Sequence, residues 1–520
     1  MKKIIVWALP FLMGSVCQAE DITIHYNGST AKVEQKAKDS VTVKVNGANV
    51  NIDSKYTAHK LSVRVTGKSD DGQLILKTAG KAKVTLDKLD LTSQEGAPLD
   101  LRNKKKVEIA VADGTENTLT ITACNDTANN KAATIWAKDK LLLSGKGTLN
   151  IIATGDGCRG IKTKKDITIE DLTLNVTTSG NHLGEKAFGF GGFPGGGEMP
   201  DFGNFQMPEG GFPNFGGGFP GFERNDSTQR GGFGGGFPGF GGGMPNFGEG
   251  GMPDFGGGFG GFGGFGGPNE EGDDDEEGGG MGFGGKRKYV ASTKGIASKG
   301  KITINSGKVT VKTSTAGAEG IEGKEGVVIN GGTVDVYSPD DAINANATIE
   351  FNGGTVIARS KGNDAVDSNP QGGFFMPFGG NNNQENADTA IIVRGGTVYA
   401  WSQAGSPEEG LDCDFASIVV EGGTIFSVGG GMGEMPSVPT NASAKQATAL
   451  LIGLNVTKEE PIQIYNSNNK LIETVTIPFS LRRSASLVTT PAFKVGNTYT
   501  VKTKGYEKTF TLNENFTAVR

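Results

Sequence analysis

One ten-residue pattern recurs along the chain: two short runs of β-branched and aliphatic residues on either side of a tight turn. It reads ITIEDLTLNV at 167–176, ITINSGKVTV at 302–311, VVINGGTVDV at 327–336, IEFNGGTVIA at 349–358, IIVRGGTVYA at 391–400 and IVVEGGTIFS at 418–427. Alternation within each run marks strands with one buried face, and the Gly-Gly pair in four of the turns marks a corner. Such a unit cannot bury its apolar face alone, so it must stack on its neighbours.

The spacing says what kind of stack. Val309 to Val334 is 25 residues, Val334 to Val356 is 22 and Val398 to Ile425 is 27, while Leu119, Leu149 and Leu174 lie 30 and 25 apart. Strand content at this period predicts turns of a parallel β-helix, stacked about 4.8 Å apart around a continuous column of inward side chains. Leucine-rich repeats share the length but need an LxxLxL pattern, and a propeller blade needs roughly 40 to 50 residues. The calcium-binding nonapeptide of secreted toxins is absent, because Val334 follows Gly331-Gly332-Thr333 where glycine is required. The expected fold is therefore all-β: a right-handed parallel β-helix (solenoid) with coils over 20–187 and again over 289–430.

Residues 188–288 interrupt the array. They are almost wholly Gly, Phe, Pro, Met and Asn and carry the acidic run Asp273-Asp274-Asp275-Glu276-Glu277. A segment of this composition cannot bury enough surface to offset its chain entropy and is expected to be a disordered Gly/Phe-rich insertion, its spaced Phe residues being candidates for weak self-association. Its ends fall at equivalent points of consecutive coils, so removing it restores the repeat. GGFFMPFGG at 372–380 is a shorter relative. From 431 the strands lengthen, at Leu450 to Val456, Ile462 to Tyr465, Lys470 to Ile477 and Thr498 to Thr503, which predicts a C-terminal β cap over the open end of the solenoid.

Met1-Lys2-Lys3, the apolar stretch from Ile4 to Val16 and Cys17-Gln18-Ala19 read as a signal peptide over 1–19. The apolar stretch is too short to span a bilayer. The protein is thus expected to be secreted, periplasmic or on the cell surface; Cys17 offers a lipoprotein alternative, although Gly14-Ser15-Val16 matches its processing pattern poorly. Beyond the signal, Cys124, Cys158 and Cys413 are too few for a disulfide framework, and Cys124 and Cys158 are left either paired or as buried thiols. His25, His59 and His182 are too scattered for a zinc site or a histidine-dependent triad. Gly67-Lys68-Ser69 resembles the end of a phosphate loop, but Ser62 stands where the pattern needs glycine. A net charge of −6 gives no reason to expect nucleic acid.

Chemistry emerges when the coils are superposed. Two residues before the equivalent Ile161, Ile296, Ile321, Ile343, Val366 and Leu411 stand Arg159, Lys294, Glu319, Asp341, Asp364 and Glu409. Four consecutive coils thus place a carboxylate in one column, with Asp340, Asp367, Glu408, Asp412 and Asp414 beside it and Glu322 one position after Ile321. Carboxylates about 5 Å apart repel by roughly 3 kcal/mol per pair at an effective dielectric near 20, so the ladder calls for water or a cation. Oxygen donors without His or Cys favour Ca2+. Asp in glycine-rich turns also serves the backbone alone, so a solvated acidic ridge stands as the alternative.

On the strand after Gly-Gly, alternation turns Lys312, Tyr337, Arg359, Tyr399 and Trp401 outward. Aromatic faces can stack on a pyranose ring while Arg and Lys pair with uronate carboxylates, which makes this strip the candidate carbohydrate-binding surface.

The stacked coils, the acidic turns Asn363-Asp364-Ala365-Val366-Asp367 and Glu409-Gly410-Leu411-Asp412, and the tail Ser486-Leu487-Val488-Thr489-Thr490-Pro491 resemble a bacterial family of carbohydrate-binding domain-containing proteins. The resemblance implies a secreted, pectate-lyase-like β-helix that binds calcium together with cellulose or polygalacturonate, and it makes Asp340, Asp341, Asp364 and Asp367 the best-matching metal ligands. The leading expectation is a secreted non-catalytic protein that binds a plant-type or acidic polysaccharide with calcium. A pectate-lyase-like enzyme, with Arg359, Lys361 or Lys324 as base, and a surface adhesin or structural protein are the alternatives.

Overall fold

The structure is a computed structural model that describes residues 21–36, 40–125, 131–186, 288–368, 391–413, 417–430 and 436–520. The signal segment and the Gly/Phe-rich insertion lie outside the described residues. Among the described residues every regular element is a strand.

The repeat unfolds into three parallel ladders. Ile161, Ile296, Ile321, Ile343, Val366 and Leu411 pair consecutively in the first. The second runs through Ile167, Ile302, Val327, Ile349, Ile391 and Ile418. The third runs through Leu174, Val309, Val334, Val356, Val398 and Ile425. These residues are 0–2% exposed and belong to one apolar cluster. Each buried Ile, Leu or Val contributes about 1.5–3 kcal/mol, which is the main force holding successive repeats together. Strands before 188 pair directly with strands after 288, as Ile161 with Ile296 and Thr173 with Lys308. Leu183–Lys186 and Lys288–Ala291 form an antiparallel pair at the two edges of the intervening segment.

The corners explain their own sequence. Gly354 has φ of +77°, and a Cβ there would lie 2.5 Å from the Gly332 carbonyl oxygen of the previous repeat. Gly396 repeats this against Gly354. Only glycine fits both the conformation and the contact. Beside these corners runs a hydrogen-bonded column: Asn330 Nδ2 donates to Asn305 Oδ1 at 2.8 Å, Asn352 Nδ2 to Asn330 Oδ1 at 2.8 Å and Arg394 Nη1 to Asn352 Oδ1 at 3.0 Å.

The two ends depart from the repeat. At the N-terminal end one strand of each of two antiparallel hairpins, Ile22–Asn27 with Thr30–Gln35 and Val41–Asn46 with Asn49–Ser54, joins a parallel ladder: Ile22–Asn27 pairs with Leu61–Ser69 and Asn49–Ser54 with Gln73–Thr78. A hairpin covers the strand edge that a ladder would otherwise leave open. The C-terminal region is more than a lid. Thr448–Val456 pairs antiparallel with Leu481–Thr489, and a four-stranded sheet from Pro461–Asn466, Leu471–Thr476, Thr498–Thr503 and Tyr506–Thr511 helps to enclose a second apolar cluster.

Cys158 packs in a small cluster with Ile121, Ala132 and Ala153, Cys124 lies against it, and no disulfide joins the two. Burial first, with Cys124 and Asp156 adding to it, pushes the Cys158 thiol up to about 12. No helix among the described residues is long and apolar enough to cross a membrane.

Candidate metal and glycan site

The first ladder fixes the carboxylates. Because Ile343 pairs with Val366, Asp341 and Asp364 occupy equivalent turns, and Asp367 follows Val366 on the outward side. One carboxylate oxygen from each of Asp341, Asp364 and Asp367 lies within 4.8 Å of the others, and all three residues are buried. The turns are stitched by these acids: Asp341 Oδ1 accepts the Asp364 N–H at 3.2 Å, and Asp364 Oδ1 accepts the Glu409 N–H. Asp341 Oδ2 accepts from Asn344 Nδ2 at 2.8 Å.

Burial is the main reason that Asp341 holds its proton well above the usual carboxylate range, and Asp340, Asp367, Asp364 and Glu319 add to it. Asp364 is raised by burial and then by Asp412 and Asp367, against the opposing effect of the Glu409 N–H. Each ionised pair at this separation costs roughly 3 kcal/mol at an effective dielectric near 20. The cluster is therefore either protonated in part or neutralised by a cation. Its donor set, three carboxylates with no nitrogen or sulfur, fits Ca2+.

The remaining acids of the column divide. Glu319 is paired with Lys294 at 3.2 Å, and Glu322, one position after Ile321, holds the same ammonium at 2.8 Å. Glu319 is thus committed to Lys294, although it is near enough to Asp341 to raise its pKa. Asp340 accepts from Asn363 Nδ2 at 2.8 Å. Glu409 accepts the Ser437 N–H at 2.7 Å and Asp412 the Ser437 hydroxyl at 2.9 Å, so both are engaged by the segment leading into the C-terminal strands. Asp414 lies outside the described residues.

The outward strip is in register, with Lys312, Tyr337, Arg359 and Trp401 pairing in turn. Its exposure differs from expectation at one end. Trp401 is only 6% exposed: it packs against Phe426, Val428 and the C-terminal cluster, and its Nε1 donates to the Phe426 carbonyl at 3.1 Å. Tyr399, 5.6 Å from Trp401 between ring centroids, is half-buried against the same cluster. The C-terminal unit needs apolar surface to dock on, and period-2 alternation cannot reveal what a later part of the chain covers. Trp401 is thus a docking residue rather than part of an open sugar platform. Lys312 stays exposed, Tyr337 is half-buried, and Arg359 is half-buried with its guanidinium on Asp335.

Two features escaped sequence reasoning. Lys294 is buried between Glu319 and Glu322, although the two acids sit one repeat away in the expected register and the pairing could have been found there. Trp136 is buried on the outward side of the first ladder, paired in register with Lys162 and Asp100, and its strand shows no alternation to flag it.

The sequence model of carbohydrate-binding domain-containing proteins matches residues 46–187 and 267–365, somewhat under half of the chain. A carbohydrate-binding domain-containing protein of Acetivibrio thermocellus is 30% identical over 117 residues, 21% of this chain and 40% of that protein. The chain thus spans well under half the length of this curated relative. A solved polysaccharide lyase-like protein from C. thermocellum, a gadolinium derivative, aligns with a TM-score of 0.38 at 16% identity, over 68% of this chain and 95% of its own.

Proposed function

We propose that this chain is a secreted, non-catalytic protein that binds a polygalacturonate- or cellulose-like polysaccharide, with Ca2+ held by Asp341, Asp364 and Asp367. The observation that carries the reading is the convergence of these three buried carboxylates within 4.8 Å. Similarity to carbohydrate-binding domain-containing proteins supports the glycan half of it. The ladders are read as the faces of a right-handed parallel β-helix, since crossovers between parallel strands of one sheet take that hand in nearly all cases.

Strip and carboxylates flank one corner of the chain. Tyr337 precedes Asp341 by four residues, and Arg359 precedes Asp364 by five. Calcium in such a site supplies a bridge to uronate carboxylates. The Tyr337 ring offers a face to a sugar, Lys312 a charge to its carboxylate, and Asp341 and Asp364 keep adjacent turns in place through the N–H groups they accept.

A lyase would need a free base near the metal. Lys324 is engaged with Glu322 and Arg359 with Asp335, which leaves Lys361, exposed three residues before Asp364 and in no ion pair among the described residues, as the base on which a lyase would have to rely. The test is to incubate the protein with polygalacturonate and calcium while following both retained protein and absorbance of unsaturated uronates. Retention without unsaturated product is expected. Unsaturated product would replace the proposal with a lyase, and absence of retention on every glycan tried would remove it.

A further inference from the structure

The C-terminal unit contains an open cavity of about 820 Å³ that the reading above does not use. Its geometry comes from a fault in strand pairing. Leu454 pairs with Ser484 and Val456 with Leu481, so the single residue Asn455 faces two, Arg482 and Arg483. A bulge of this kind bends a strand and re-aims its side chains. Here it turns both arginines to solvent, whereas the strand from Ser484 to Thr489 is buried throughout.

The backbone at the bulge is unusual for its residue. Arg483 has φ of +53°, a region costly for any side chain and natural to glycine. The Asn455 side chain holds it there, with Oδ1 accepting the Arg483 N–H at 3.1 Å. The bulge and the Asn455 bond place Arg482 and Arg483 next to each other in the lining of the cavity. Thr457 and Ser480 line the same cavity with hydroxyls. Lys504 also lines it, its ammonium 3.0 Å from Glu460. Among the described residues, neither Arg482 nor Arg483 makes an ion pair.

We propose that this cavity is a second, metal-independent glycan site that takes one uronate residue of an acidic oligosaccharide. The adjacent guanidinium forks of Arg482 and Arg483 receive the carboxylate, and Asn455, Thr457 and Ser480 serve the ring hydroxyls. Arginine suits this task because its planar fork matches a carboxylate in two parallel hydrogen bonds. The volume suits a sugar unit or two rather than a long chain. The proposal takes its ligand class from the acidic-glycan reading, but not its metal.

The test is calorimetric titration of the full chain with digalacturonate in excess chelator, which silences the carboxylate cluster. Binding that weakens with added salt is expected, with at least a roughly tenfold loss in an R482A/R483G variant. Glycine suits the φ of Arg483 and both side chains are exposed, so this variant retains the fold. A D341N/D364N variant should bind digalacturonate in chelator as the parent does. No binding by the parent, unchanged binding by R482A/R483G, or equal binding of the methyl-esterified disaccharide would overturn the site. The calcium-dependent reading stands or falls separately, on the carboxylate variant in calcium.

Discussion

Asp341 Oδ1 accepts the backbone N–H of Asp364 from the next repeat at 3.2 Å. The bond gives the acid a structural duty besides any metal it holds. Substituting Asn for Asp at 341 keeps the acceptor for the Asp364 N–H and removes the charge, but gives up the bond from Asn344 Nδ2 to Oδ2. In chelator the D341N/D364N variant should stay within about 1 kcal/mol of the parent, because relief of repulsion among buried carboxylates offsets the lost bond. In calcium it should lose the metal-induced gain, which for the parent reaches about 2.7 kcal/mol when the free ion is near 100 times its Kd. Thermal unfolding with and without calcium measures both.

Acidity gives a second prediction. Burial and neighbouring acids raise Asp341 and Asp364, so the folded protein binds their protons more tightly than the unfolded chain does. Their contribution is full below the unfolded pKa near 4 and is lost as pH rises through the raised folded values. Metal-free protein should therefore lose this contribution on going from about pH 4 to neutrality, while calcium, which needs both groups ionised, gains. The Tm difference between calcium and chelator should be small near pH 4.5 and widen toward about pH 7.5. Other carboxylates are common to both arms and cancel.

The corners can be tested by glycine. G354A forces a Cβ to 2.5 Å from the Gly332 oxygen at a φ of +77°, whereas G453A, at φ of +81°, meets nothing within 4 Å. The first should cost about 3 kcal/mol or more and the second about 1–2 kcal/mol, read from denaturant midpoints.

Burial of Trp401 makes a prediction opposite to that of an exposed sugar platform. W401A should destabilise the docking of the C-terminal unit by about 3–5 kcal/mol. At a temperature where it stays folded, its glycan retention should match the parent's. Y337A should do the reverse, and retention beside a melting curve distinguishes them.

The register of the array was legible because inward positions such as Ile321, Ile343 and Val366 repeat at nearly constant spacing, and a one-residue slip would turn every one of them to the wrong face. The same register placed Asp341 and Asp364 in equivalent turns and Asp367 beside them. What lay beyond sequence was tertiary. The cover over Trp401 comes from Phe426 and Val428 of the next repeat and from the C-terminal cluster beyond them, the Lys294 pairing required weighing a cation as part of an acid column, and the bulge at Asn455 shows no pattern until both strands are aligned.

Retention on insoluble polygalacturonate, compared between the parent and D341N/D364N in calcium and in chelator, tests the central claim most directly. Parent protein should be retained in calcium and released by chelator, and the variant should stay in the supernatant in calcium. Equal retention of parent and variant in calcium, or parent retention unaffected by chelator, would contradict a calcium site at Asp341, Asp364 and Asp367.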